Sequence, residues 1–144
     1  MQTKVKMILK FKIDKSPKLV FDYLTDMTKF ERVHPVITKI DKIGDAEYLI
    51  HETLKFGFLP LNFTYPVSID QNFKEKTVEM NAIVMKLTKI KLKFSITPED
   101  EFAIIEEKIS IKSMFPIKSI LQSIFRKQHK ILFQNIEREA FNLH

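Results

Sequence analysis

Two glutamates stand where a charge is least welcome. Strand alternation puts Glu52 on one face with Tyr48, Ile50, Leu54 and Phe56, and Glu107 on one face with Ile105, Ile109 and Ile111. A carboxylate enclosed by such neighbours is costly to ionise unless it is paired, so its pKa rises. Two inward carboxylates could supply general acid–base chemistry or grip a ligand hydroxyl. A strand end or a bulge would instead leave them at the rim, which is the expected place for each. Two amides interrupt an apolar helical stripe near the C-terminus. Gln128 lies four residues after Ile124 and three before Ile131, and Asn135 four after Ile131. Such an amide can bond a ligand or satisfy a backbone group or a water; Gln128, mid-stripe, is the better ligand candidate.

Other chemistries lack their residues. Cysteine is absent, which removes disulfides, thiolate zinc sites and cysteine nucleophiles. Gly44 and Gly57 are the only glycines, too few and too far apart for a phosphate loop or a dinucleotide fingerprint. No serine sits in a glycine-flanked nucleophile elbow. His34, His51, His129 and His144 have no metal-ligand spacing. His51 falls on the strand face opposite Glu52, and His129 neighbours Lys127 and Lys130, so both are expected at the surface. His34 is expected to cap or pack where short helices meet the sheet. No catalytic residue, cofactor or metal is assigned.

The elements that must hold these residues are legible. Val5, Met7, Leu9, Phe11 and Ile13 alternate with lysines, broken only by Ile8, and form a first strand. Ser16-Pro17 reads as an N-cap and first helical position of a helix running to about Thr25. Asp26-Met27-Thr28 offers a second cap, and Lys29 to Val33 a second short helix that His34-Pro35 ends. Six strands follow: about Ile37–Ile43, Glu47–Phe56, Leu61–Asp70, Thr77–Met85, Thr88–Thr97 and Phe102–Lys112, with Pro98-Glu99-Asp100 as the last turn. Pro66 inside the fourth strand demands an edge or a bulge. Short connections make consecutive strands antiparallel neighbours. From Pro116 to about Glu139 the apolar residues recur at three- and four-residue intervals, a long amphipathic helix. The chain, 144 residues without a low-complexity linker, reads as one domain, 1–144. A curved sheet of this kind cannot satisfy its concave face alone, so the long helix must cover it.

The run Phe11-Lys12-Ile13-Asp14-Lys15-Ser16-Pro17-Lys18-Leu19-Val20-Phe21-Asp22-Tyr23-Leu24 resembles the opening of the Bet v 1/START-like (SRPBCC) superfamily. His34-Pro35-Val36, the strand ending at Gly44-Asp45 and the terminal helix are similar too, nearest the bacterial polyketide cyclase/dehydrase-like ligand-binding branch. The resemblance implies an α+β helix-grip fold: a seven-stranded curved antiparallel sheet around a long C-terminal helix, with two short helices between strands one and two. It also implies a cavity between sheet and helix that binds or carries a lipid, isoprenoid or polyketide-like molecule. The expected wall is Tyr48, Glu52, Phe56, Phe63, Tyr65, Met80, Glu107, Ile109, Leu121, Phe125 and Gln128. The alternatives are a cyclase/dehydratase using Glu52 or Glu107 with Tyr65 or Gln128, and a protein- or membrane-surface module.

Net charge is +6, but only three of the 24 basic residues are arginine, and the lysines mostly alternate with apolar residues. That is a solvated strand face rather than a nucleic-acid surface, and no nucleic-acid partner is expected. Lysines interrupt the N-terminal apolar residues, which argues against a signal peptide, and no apolar run reaches membrane-spanning length; the expected compartment is the cytoplasm. Phe56-Gly57-Phe58-Leu59-Pro60-Leu61 is unusually apolar for a hairpin tip. It reads equally as a lid or transient membrane contact through Phe58 and Leu59, or as core tucked against the sheet end.

Overall fold

The computed structural model describes residues 2–56 and 58–142. Its elements run β1 (Thr3–Ile13), α1 (Pro17–Thr25), α2 (Met27–Val33), β2 (Ile37–Gly44), β3 (Glu47–Phe56), β4 (Leu59–Asn72), β5 (Thr77–Val84), β6 (Thr88–Glu99), β7 (Phe102–Ser113) and α3 (Lys118–Asn142). The seven strands form one antiparallel sheet in the order β1-β7-β6-β5-β4-β3-β2. β1 returns to close beside β7, so every other neighbour is a hairpin partner.

Local chemistry sets the helix boundaries. The Ser16 hydroxyl accepts from the Leu19 N–H at 3.2 Å, and Pro17 takes the first turn, where its missing N–H costs nothing. Asp26 both closes α1 and opens α2. Its N–H donates to the Asp22 carbonyl, while its carboxylate accepts from the Thr28 and Lys29 N–H groups at 3.0 and 3.3 Å.

Pro66 and Pro98, two of the three strand prolines, sit where the sheet has one open side. β4 pairs β5 only from Val67 onward, so Pro66 faces no β5 ladder. Pro98 is not in a turn, contrary to expectation: it pairs with Ala103 inside the β6–β7 ladder. The β5–β6 ladder stops at Ser95, so the far side of Pro98 needs no donor. The turn is instead the two-residue Asp100-Glu101, with Asp100 at φ 54° in the left-handed region that such tight hairpins require.

The main core lies between the sheet, α1, α2 and the second half of α3, with Val20, Leu24, Phe94, Leu132, Phe133 and Ile136 fully buried. A smaller cluster of Val5, Met7, Leu9, Ile109 and Ile111 lies under Leu121 and Phe125. At the far end Glu139 accepts from the Arg32 guanidinium at 2.6 Å and the Tyr23 hydroxyl at 3.0 Å, and Glu137 from the Asp14 N–H. α3 is therefore anchored by its second half. Asp26→Ala should cost about 1 kcal/mol of stability, measured by urea unfolding, because two N–H groups of α2 lose their acceptor.

Candidate functional site

Between the first half of α3 and the concave face of the sheet lies a cavity of about 470 Å³. That is within the usual range for small-molecule pockets. Ile120, Leu121, Ile124 and Phe125 roof it from α3, with Ile117 just before the helix, and residues of β3 to β6 make its floor. The polar members of the wall are His34, Glu52, Tyr65, Thr88, Gln128 and His129; none of the 24 lysines and arginines is among them.

Of the expected wall residues, Glu52, Phe63, Tyr65, Met80, Leu121, Phe125 and Gln128 line this cavity. Tyr48 packs against the main core instead, and Ile109 is buried in the smaller cluster. The side chain of Phe56 lies outside the described residues. Glu107 is off the wall but not at the rim: it is completely buried. Glu52 also turns inward, and its carboxylate accepts from the Tyr65 hydroxyl at 2.5 Å. Burial raises the Glu52 pKa, opposed by the Tyr65 hydrogen bond and by His129. Burial, and then the adjacent Glu52, hold the Tyr65 hydroxyl well above its ordinary value.

His129 is a correction. It is 3% exposed rather than at the surface, with Nδ1 2.6 Å from the Glu107 carboxylate. On a helix Phe125, His129, Leu132, Phe133 and Ile136 share one face, so the ring points into the fold despite its lysine neighbours. Phe125 packs edge-on to it at 5.3 Å between ring centroids. His51 is only half-buried on the outer face, where Asp41 and Thr64 hold its two nitrogens. Asn135 takes the structural role, donating to the Val33 carbonyl at 2.8 Å.

His34 ends α2 and lies on the wall, its ring centroid 6.2 Å from that of His129. Its Nδ1 accepts from the Val36 and Ile37 N–H groups, both at 3.3 Å, which assigns the ring hydrogen to Nε2. Burial first, and His129 second, push its pKa down to about 3, so it is neutral at physiological pH. In His129 the Nδ1 atom faces Glu107, so Nε2 is the ring nitrogen left to meet another partner. The two histidines thus bring two ring nitrogens to the cavity: His34 Nε2 as a donor, and His129 Nε2 as donor or acceptor according to its tautomer. Neither belongs to the wall expected from the sequence, and the helical face of His129 is the signal that points inward.

At the β3–β4 tip Phe58, Leu59 and Leu61 are not folded into the core. Phe58 is 101% exposed, and Leu59 and Leu61 are exposed too, while Gly57 lies outside the described residues. Among the described residues no helix is long and apolar enough to cross a membrane, and no group of three metal-ligating side chains occurs.

The family model for CoxG, a subunit of carbon monoxide dehydrogenase, matches residues 10–140. No curated protein matches the chain in sequence. Several solved structures share the fold. A conserved protein from Geobacillus kaustophilus has a TM-score of 0.81 at 13% identity, over 97% of both chains. A START superfamily protein from Mycobacterium smegmatis has a TM-score of 0.75 at 10% identity, over 96% of this chain and 99% of that one. The ZhuI aromatase/cyclase from Streptomyces sp. R1128 has a TM-score of 0.74 at 8% identity, over 96% and 94%. The architecture is the helix-grip fold of Bet v 1/START-like proteins.

Two measurements probe the site's energetics. Glu107→Leu or His129→Leu alone should destabilise by about 3–5 kcal/mol, since each strands its buried partner, whereas the double variant should recover most of that loss. Additive costs in urea unfolding would contradict a coupled pair. His34 binds a proton in the unfolded chain near 6.5 but in the folded protein only near 3. Stability should therefore fall as pH drops through that window, by at most about 1.4 kcal/mol per pH unit from this group. His34→Asn, which keeps an acceptor for Val36 and Ile37, should flatten that slope.

Proposed function

The chain belongs to the CoxG family of carbon monoxide dehydrogenase subunits, and from that premise we propose that it binds or carries a hydrophobic small molecule, lipid, isoprenoid or polyketide-like, in the cavity beneath α3. The observation that carries the reading is the cavity itself: about 470 Å³ walled mainly by apolar side chains, at the interface of the two layers. A volume of that size left unfilled forfeits packing that a ligand would restore.

The polar wall residues narrow the ligand's chemistry. His34 offers an Nε2–H, so an acceptor oxygen, carbonyl or hydroxyl, suits it, and a hydroxyl also suits His129 Nε2 in either tautomer. With Glu52 on the wall, Glu107 buried nearby and no lysine or arginine on the wall, a carboxylate or phosphate head would lose its hydration without a countercharge. The preferred molecule is long, apolar and uncharged, with one oxygen end.

A second reading, cyclase or dehydratase chemistry, draws on one observation: the raised pKa of Glu52 beside Tyr65 makes a proton-carrying pair on the wall. Turnover unchanged in a Glu52→Gln/Glu107→Gln variant would rule that version out.

Native mass spectrometry of the purified protein should show an extra mass of a few hundred daltons that disappears on denaturation. Ala82→Phe, which fills the floor, should weaken binding of the neutral dye Nile red at least about tenfold with an unchanged circular dichroism spectrum. Undiminished dye binding in that variant would place the ligand elsewhere.

A further inference from the structure

The convex face of the sheet carries a groove of about 500 Å³. It opens where β4 and β5 part: their ladder ends at Val67 and Ala82, and Pro66, next in β4, has no N–H to extend it. On the β6–β7 side its lining is basic, with Lys89, Lys91 and Lys112. On the other side it is apolar, with Ile43, Pro66 and Ile83; Ile43 is 53% and Ile83 47% exposed. Ser68, Asn81 and Ser110 add two hydroxyls and an amide, and Glu47 is the only carboxylate in the lining among the described residues.

The basic side is built of like charges set against one another. Lys112 pairs with Lys4 on β1 and with Lys89 on β6, so three ammonium groups stand in one row across three strands. Like charges directly opposite on neighbouring strands destabilise a sheet. All three side chains are exposed, and no ion pair reaches any of them among the described residues. The next row places Lys6 and Lys91 on either side of Ser110, and Lys91 reaches Glu79 only at 3.9 Å. Folding alone gives no reason for these rows, whereas an anion laid over them would remove the repulsion.

We propose that the groove holds an extended acidic peptide segment of a partner protein, its carboxylates on Lys89, Lys91 and Lys112 and an apolar side chain against Ile43 and Ile83. The spacing supports this occupant. Side chains two apart on β6, and two apart on an extended peptide, are both separated by about 6.7 Å, so carboxylates at alternate positions meet Lys89 and Lys91 in step. The lining contains no arginine and no aromatic ring, so a nucleic acid would find neither a fork for its bases nor a platform for stacking. A planar bilayer would rest on the lysines of a convex face and leave Ile43 and Ile83 uncovered in the groove. A second copy would offer its Glu99-Asp100-Glu101 turn, but Glu99 is already held by Lys12 at 3.3 Å, and such a head-to-tail contact does not close on itself. Docking here stands independently of which ligand the cavity takes.

The test begins with phage-displayed random peptides of about twelve residues, selected on the full chain. Enriched peptides should carry Asp or Glu at alternate positions together with a large apolar residue. One of them, labelled with fluorescein, then reports binding by anisotropy. Lys89→Glu/Lys91→Glu, Lys112→Glu and Ile83→Ser should each weaken it at least about tenfold with an unchanged circular dichroism spectrum; Lys18→Glu/Lys74→Glu, on α1 and the β4–β5 turn, should not. Lys112→Glu, which breaks the like-charge row, should also raise the urea midpoint. Val67, Ala82 and Ile90 are left unchanged because they border the cavity as well as the groove. No enrichment of acidic residues, equal loss in the Lys18/Lys74 variant, undiminished binding in the Ile83 variant or a lowered midpoint for Lys112→Glu would each overturn the proposal. So would self-association of the chain that Lys112→Glu abolishes, or competition by duplex DNA or phosphatidylglycerol vesicles as effective as that of the unlabelled peptide. The peptide does not enter the cavity, so any of these results leaves the binding reading of the cavity intact.

Discussion

One helix has to cover the concave face of seven strands, and it can pack closely over only part of it. That constraint organises the molecule. Leu132, Phe133 and Ile136 fill the space under the second half of α3, where α1 and α2 thicken the core. Under the first half only the smaller cluster packs, against Leu121 and Phe125, so Ile120 and Ile124 remain as a roof over space. The Glu107–His129 pair lies at the border between the two regimes. It ties sheet to helix where packing ends, and it leaves one ring nitrogen turned toward the cavity.

The electrostatics follow from that border. A charge in such a place is tolerated only with a partner, and each inward carboxylate has one: His129 for Glu107 and the Tyr65 hydroxyl for Glu52. His34 is oriented by backbone rather than by charge, since two successive N–H groups at the start of β2 hold its Nδ1. The polar wall is thus fixed from behind by three different devices, and its cavity-facing atoms are set by the residues they lean on.

Much of the architecture is written in local patterns. The lysine alternation of β1, the Ser16-Pro17 start of α1 and the period of α3 each report a decision made within a few residues, and each element is present. Pro98 shows the limit of local rules: proline suggests a turn, but only the sheet register reveals that β5 stops short and frees one side of β6. The inward face of Glu52 and Glu107 followed from alternation, whereas their burial depended on what covers that face. His129 was misplaced because two flanking lysines outweighed its position between Phe125 and Phe133. His34 gave no periodic signal, because a residue at a helix end belongs to no stripe.

The half-anchored helix has a consequence for how such a protein diversifies. Residues that secure the fold and residues that shape the cavity occupy different halves of α3. A change at Ile120 or Ile124 alters the volume and outline of the cavity while the contacts of Leu132 and Ile136 persist. Mutations that retune ligand preference therefore draw little on folding stability, and the lineage can explore new ligands without first acquiring compensating substitutions elsewhere.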